Sequence, residues 1–234
     1  MKILVGITSC EEYEKNGENQ AMRETCLQDA LRLGIDYKFF HGREATPKDD
    51  VVIVDWYDGY NALVGKTIEK FKWILERPYE FVFCADCDTY FCAERLLTCG
   101  FEQYDYYGDF FHADVRQPWP HSSHGMFCQA GPGFFLSRKA VEYALPKMID
   151  WLPQSNGSDF VSPLGRFIKE NPSLKIGDDR RFTTMLAPED IGPRKYNQII
   201  TAHLSTISEN KKKPHGPYKP KYMYKKYQEW KDSE

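Results

Sequence analysis

No stretch of the 234 residues approaches the roughly 20 consecutive apolar residues that a membrane-crossing helix needs. The opening Met1-Lys2-Ile3-Leu4-Val5-Gly6-Ile7 is apolar over the length of a strand only. It has neither the basic leader nor the small-residue cleavage site of a secretory signal, so a cytoplasmic protein is expected. A large excess of positive or negative charge is also missing. A net charge of −3 gives no global electrostatic reason to bind nucleic acid or a membrane surface. There is no internal repeat, which excludes solenoids and propellers. Nor is there an even, regularly spaced cysteine set. The seven cysteines, at 10, 26, 84, 87, 92, 99 and 128, stand among apolar residues and fit reduced, buried thiols.

What is present suffices for a packed domain. The chain is 41% hydrophobic and 15% aromatic, a composition that excludes wholesale disorder. Its length suits one compact unit. We expect that unit over residues 1–210, and a tail over 211–234 where lysine, proline and tyrosine dominate.

Periodicity places the elements. Residues 2–8 read as a strand running into a polar loop. From Asn19 to Leu33 apolar residues recur at three- and four-residue steps, the helical spacing, and Gly34 ends the run. Tyr37–Phe40 and Val51–Val54 are strand candidates. Ala62–Leu75 reads as a helix closed by Arg77-Pro78. Phe81-Val82-Phe83-Cys84-Ala85 is the strongest strand, apolar enough for burial on both faces. Strand–helix alternation of this kind predicts an α/β domain with a mainly parallel sheet flanked by helices. Further on, Gly133–Leu136 suggests a strand after a glycine-bearing turn, and Arg138–Met148 a helix. Residues 151–190 read as mixed and loop-rich.

Asp86-Cys87-Asp88 follows the strongest strand directly. In extended backbone, side chains alternate, so Asp86 and Asp88 are expected on one side and Cys87 on the other. Two carboxylates together at the carboxyl end of a buried strand are costly without a cation, and in open α/β sheets that end binds ligands. Mg²⁺ or Mn²⁺ suits such donors and is often shared with substrate phosphates. The plain alternative is a pair of aspartates opening a turn. Cys84 and Cys87 form a C-x-x-C, but their odd separation puts the thiols on opposite faces, which favours core packing over zinc or redox chemistry. His121 and His124 follow Pro118, Trp119 and Pro120 and read as loop residues, with acceptor contacts open to them.

Taken together, these blocks resemble the fringe and β-1,3-galactosyltransferase-like group of GT-A glycosyltransferases. Arg23-Glu24-Thr25 looks like the arginine-bearing helix after the first strand. Asp55-x-x-Asp58-x-Tyr60-Asn61-x-Leu63-x-x-Lys66-Thr67, then Trp73, is similar to the family's D-x-Y-x-N-L-x-x-K-T block. Phe83 to Phe91 matches its D-x-D segment, and Cys128 to Ser137, with Gly131-Pro132-Gly133, its glycine-rich block. The four stand in the family's order across roughly residues 3–140.

The resemblance implies a Rossmann-like GT-A fold, a UDP-sugar donor and Mn²⁺. It also implies roles. Asp86 and Asp88 would hold the metal, and His203 in Ala202-His203-Leu204 falls where fringe-like members place a metal-binding histidine. Arg23, Asp55, Lys66, Asp86, Gly131 and Gly133 are candidate donor contacts. Asp178-Asp179 resembles the acidic pair whose second carboxylate serves as catalytic base, with Asp190 as the alternative match. A general base there would activate an acceptor hydroxyl and invert the anomeric centre. For Asp178-Asp179 a helix N-cap is the structural alternative.

Eukaryotic members carry a membrane anchor and disulfides; a chain opening on its first strand suggests a bacterial, phage or viral version working in the cytoplasm, the host's if viral. Glycan, lipid-linked or glycoprotein acceptors all fit. The lysines and tyrosines of the tail open two further readings, a transferase acting on a hydroxylated base in DNA or one touching an anionic membrane. From a different class comes a catalytically silent nucleotide-sugar binder. A nucleotidyltransferase is disfavoured, since no glycine- and arginine-rich phosphate loop follows the first strand.

Overall fold

The computed structural model describes residues 1–112, 126–183, 199–204 and 220–232. Its strands, in chain order, are β1 (Ile3–Thr8), β2 (Asp36–His41), β3 (Val51–Ile53), β4 (Phe81–Asp86), β5 (Thr89–Phe91), β6 (Tyr106–Gly108), β7 (Phe110–His112), β8 (Met126–Cys128), β9 (Phe134–Ser137), β10 (Ile176–Asp178), β11 (Phe182–Thr183) and β12 (Thr201–His203). The helices are α1 (Glu11–Asn16), α2 (Glu18–Arg23), α3 (Cys26–Arg32), α4 (Leu63–Leu75), α5 (Ala93–Thr98), α6 (Arg138–Trp151), α7 (Val161–Lys169) and α8 (Pro220–Lys231).

The main sheet has seven strands in the order β10-β6-β9-β4-β1-β2-β3. β1 pairs in parallel with β2 and β4, β2 with β3, and β6 with β10, while β9 runs antiparallel to both β4 and β6. The sheet is therefore mixed and mainly parallel, as expected. From β1 the chain winds outward through β2 and β3, then returns to lay β4 on β1's other side. That reversal is the topological switch point, where open α/β sheets bind ligands beyond the carboxyl ends of the strands.

Alternation along β1 and β4 divides the core. Val5, Ile7, Phe83 and Ala85 pack with Met22, Leu27 and Leu96 of α2, α3 and α5. Leu4, Val82 and Cys84 pack with Ile68 and Phe71 of α4, Val141 of α6 and Leu164 of α7. Aromatic rings fill both halves; in the first, Phe83 lies 5.1 Å from Phe135, and Phe135 stacks on Phe101 at 3.9 Å. All seven cysteines are free, and Cys84 and Cys87 are buried in opposite halves, as their spacing predicts.

Three local readings differ from the sequence expectation. The helix expected over 19–33 is two, because Thr25 leaves helical geometry (φ −125°, ψ −110°) while its hydroxyl donates to the Ala21 carbonyl. The polar loop after β1 contains α1, a helix with no buried residue and hence no apolar period to read. Within the expected tail, residues 220–231 form α8, which lays a fully buried Met223 against the core beside Tyr222 and Tyr227. Among the described residues no helix is long and apolar enough to cross a membrane.

Candidate active site

β4 ends at Asp86, and the chain turns through Cys87 and Asp88 into β5, a strand of a second, three-stranded sheet. Strand alternation thus stops at Asp86, and it is the turn that presents Asp88. β5 pairs antiparallel with β12, setting Thr89 opposite His203. The Leu204 amide donates to the Asp88 carbonyl at 2.9 Å, and His203 Nε2 lies 3.1 Å from Asp88 Oδ2. A residue 115 positions away is so brought to the D-x-D turn by a three-residue ladder.

Thr89, fully buried, ties the turn together. Its hydroxyl accepts from the Asp86 amide at 3.0 Å and donates to the Gly131 carbonyl at 2.7 Å. Gly131 lies against the imidazole, since a Cβ there would sit 2.4 Å from His203 Nδ1. Gly133 adopts φ +79°, and a Cβ on it would lie 2.4 Å from the Phe83 ring, so this turn needs glycine for both conformation and space.

Charge is concentrated here. Burial, and then the Asp88 carboxylate, push the Asp86 carboxyl above its usual range, while His203, Lys70 and Lys66 pull it back. Burial lowers the affinity of His203 for a proton, but its hydrogen bond to Asp88 and the charges of Asp88 and Asp86 outweigh this and raise it. Among the described residues no three His, Cys, Asp or Glu groups stand close enough to hold a metal as placed. The donor chemistry still fits a divalent ion whose shell is completed by substrate phosphates and water: two carboxylates and an imidazole, partly exposed, at the switch point.

The other predicted residues are distributed unevenly. Lys66 is buried, with its ammonium 2.6 Å from Asp58 Oδ1 and also donating to the Ser9 carbonyl at the end of β1. Asp58 in turn accepts from the amides of Gly42 and Glu11, so it pins the β2, β3 and α1 segments around that lysine. Asp55 is not part of this network; its side chain is 92% exposed and, among the described residues, pairs with Arg43 at 3.4 Å. Arg23 is engaged internally, by Glu14 at 2.7 Å and Asp50 at 2.6 Å, with its guanidinium over the Phe39 ring.

Asp178 and Asp179 lie at the end of β10, on the same carboxyl edge as Asp86 but three strand spacings away, roughly 14 Å. Asp178 accepts from the Phe110 amide at 3.0 Å. Asp179 accepts from Tyr107 at 2.5 Å and from Arg181 at 2.6 Å. Burial alone would raise the Asp179 carboxyl; bonds from Arg181 and Tyr107 hold it below the ordinary range. Asp190, His121, His124 and Trp119 lie outside the described residues.

Sequence reasoning missed Thr89 and Lys70 as site components. A lysine at a core-facing position of α4, one turn after Lys66, was the signal available for Lys70.

No family model matches the chain, and no functionally characterised protein matches it in sequence. Its fold is shared with solved structures. One is a glycosyltransferase involved in the glycosylation of the major capsid of PBCV-1, with a TM-score of 0.57 and 13% identity, covering 96% of this chain and 100% of that one. The galactosyltransferase LgtC, in complex with donor and acceptor sugar analogs, has a TM-score of 0.55 and 9% identity, with both chains covered in full. The active-site mutant Q189E of LgtC gives the same values. The chain has the GT-A fold of glycosyltransferases.

Proposed function

We propose that this protein is a divalent-metal-dependent glycosyltransferase that takes a sugar from a nucleotide diphosphate, UDP in the first instance, and passes it to an acceptor hydroxyl. The observation that carries this reading is the contact of His203 with Asp88 in the turn that follows Asp86, at the switch point of a GT-A sheet. Asp88 and His203, with Asp86 beside them, are the residues that would hold Mn²⁺ or Mg²⁺, and the ion would supply charge neutralisation to the departing diphosphate. The backbone at Gly131, free of a Cβ, keeps the imidazole against the turn. Lys66 and Asp58 brace the end of β1.

Asp179 is the residue we assign as general base for an inverting transfer. It is a carboxylate at neutral pH, on the correct edge of the sheet, and Arg181 orients it. A glycan, lipid-linked or protein acceptor fits; the PBCV-1 relative in fold, described by its role in capsid glycosylation, makes protein-linked glycans the first acceptors to try. A second reading has its own support. Asp179 is occupied by both Arg181 and Tyr107, and a carboxylate so engaged is a weak base, as expected of a catalytically silent nucleotide-sugar binder.

The test is nucleotide release from a panel of UDP- and GDP-sugars with Mn²⁺, run beside Asp88→Ala. Hydrolysis of one donor, abolished by EDTA and by the substitution, supports the transferase. Metal-dependent binding without turnover, with or without acceptor glycans, supports the silent binder. Absence of any binding would sink the assignment of Asp86 and Asp88.

A further inference from the structure

Helix α4 sends two lysines from its buried face toward the carboxyl end of β1, one turn apart. Lys66 is neutralised by Asp58. Lys70 is only 1% exposed, and among the described residues its hydrogen-bond partner is the Thr8 hydroxyl, at 3.0 Å, with no carboxylate in ion-pair contact. A buried ammonium without a paired anion is expensive, and an apolar side chain at this position would pack at no such cost.

Its course is built into the sheet. The side chain runs past Gly6, where a Cβ would lie 3.6 Å from Lys70 Cδ, an ordinary contact, and a tighter 3.1 Å from Val82 Cγ2. The ammonium then reaches Thr8, the last residue of β1, which is in direct register with Asp86 on β4. Register partners on adjacent parallel strands project from the same face. That face is the one covered by α4, because Leu4, Val82 and Cys84 share it. Lys70 therefore stands beneath Asp86 at the switch point, and it is one of the groups that draw the Asp86 carboxyl downward.

We propose that Lys70 is a positioning residue, a fixed internal counter-charge beneath the Asp86–Asp88 pair that offsets their mutual repulsion and the repulsion an incoming diphosphate meets. The inference rests on the reading of Asp86 and Asp88 given above. It has a consequence that a purely structural lysine does not share. A fixed cation opposes a divalent ion and favours a phosphate, so removing it must shift the two affinities in opposite directions.

The experiment uses the full chain at mildly alkaline pH, with calorimetry for Mn²⁺ alone and for UDP in the presence of EDTA. In Lys70→Met, Mn²⁺ binding tightens at least about threefold and metal-free UDP binding weakens at least about threefold, a Coulombic effect of modest size across a partly screened site. Lys70→Gln, uncharged but polar, reproduces both shifts if charge is the cause, and it stands in should the methionine variant fail to fold. Lys70→Arg keeps both affinities near wild type. Unchanged affinities, or a joint weakening of both ligands, would overturn the proposal. So would failure of both uncharged variants to fold while Lys70→Arg folds, which would make the lysine structural. Wild-type protein that binds neither probe would refute the functional reading itself, a result distinct from the others.

Discussion

Replacing Gly131 by alanine should disable the site through His203, whose ring supplies the three atoms nearest the added Cβ. Gly131 does not use a left-handed backbone, so alanine brings no conformational penalty at that position. The added Cβ would lie 2.4 Å from His203 Nδ1 and 2.6 Å from Cε1 and Cγ, against an ordinary contact of 3.4 Å or more. The imidazole must withdraw by about 1 Å, and overpacking of that order costs about 1–3 kcal/mol. In a chain of this size that is a fall in Tm of about 2–12 °C. Withdrawal also breaks the 3.1 Å contact with Asp88, and misplacement of a reacting group by about 1 Å lowers turnover by about 10²-fold.

A double-mutant cycle isolates the cause. In a His203→Ala background all three of the closest atoms are gone, so Gly131→Ala should cost less than about 0.5 kcal/mol there. Thermal and denaturant unfolding measure the stability terms, and nucleotide release measures turnover. Equal destabilisation in both backgrounds, or a Gly131→Ala enzyme with wild-type stability and turnover, would refute the reasoning.

Other outcomes follow from the same structure. Asp179→Asn should leave donor binding within about twofold while lowering transfer at least about 10²-fold, the range for a general base; equal transfer would remove Asp179 from the mechanism, and NMR of the product anomer in the wild type decides whether transfer inverts. Glu14 is held at about 2: burial opposes ionisation, but bonds from Arg23, Lys48 and Asn19 outweigh it. Its folded pKa is depressed, so its stabilisation is present above the unfolded value near 4.3 and is lost as pH falls toward 2, about 3 kcal/mol at most. Glu14→Gln should therefore lower Tm at pH 7 and converge with wild type in acid; a constant gap across that window would contradict the assignment. Met223→Ala should cost about 2–4 kcal/mol, since the side chain is fully buried between α8 and the core; a neutral result would show that α8 is not seated there.

Much of this protein was legible from local pattern. An apolar five-residue run ending in Asp-x-Asp announced β4 and its carboxyl pair, because a strand buried on both faces has no polar period until it leaves the core. Cys84 and Cys87 are buried in opposite halves, as their odd spacing suggested, although Cys87 lies in the turn past the end of the strand. The alternation of strands with helical periods up to residue 85 was enough to predict a mainly parallel sheet, and α4 was readable from its apolar stripe.

Contacts between distant segments were beyond that reach. α1 buries no apolar residue and so left no period, and α8 was hidden because the fully buried Met223 lies among lysines and tyrosines. Arg23 and Lys66 read as candidate donor contacts, and that Glu14, Asp50 and Asp58 surround them was not visible in the sequence. By itself the sequence determined the sheet's central strands and the chemistry carried at the end of β4, since both depend on residues adjacent in the chain. The family resemblance puts His203 with Asp88, but only the tertiary structure decided the pairing that brings them together and that Lys70 stands under Asp86. Those encounters are set by strand register and by which face a helix covers, and neither is a property of any short stretch of sequence.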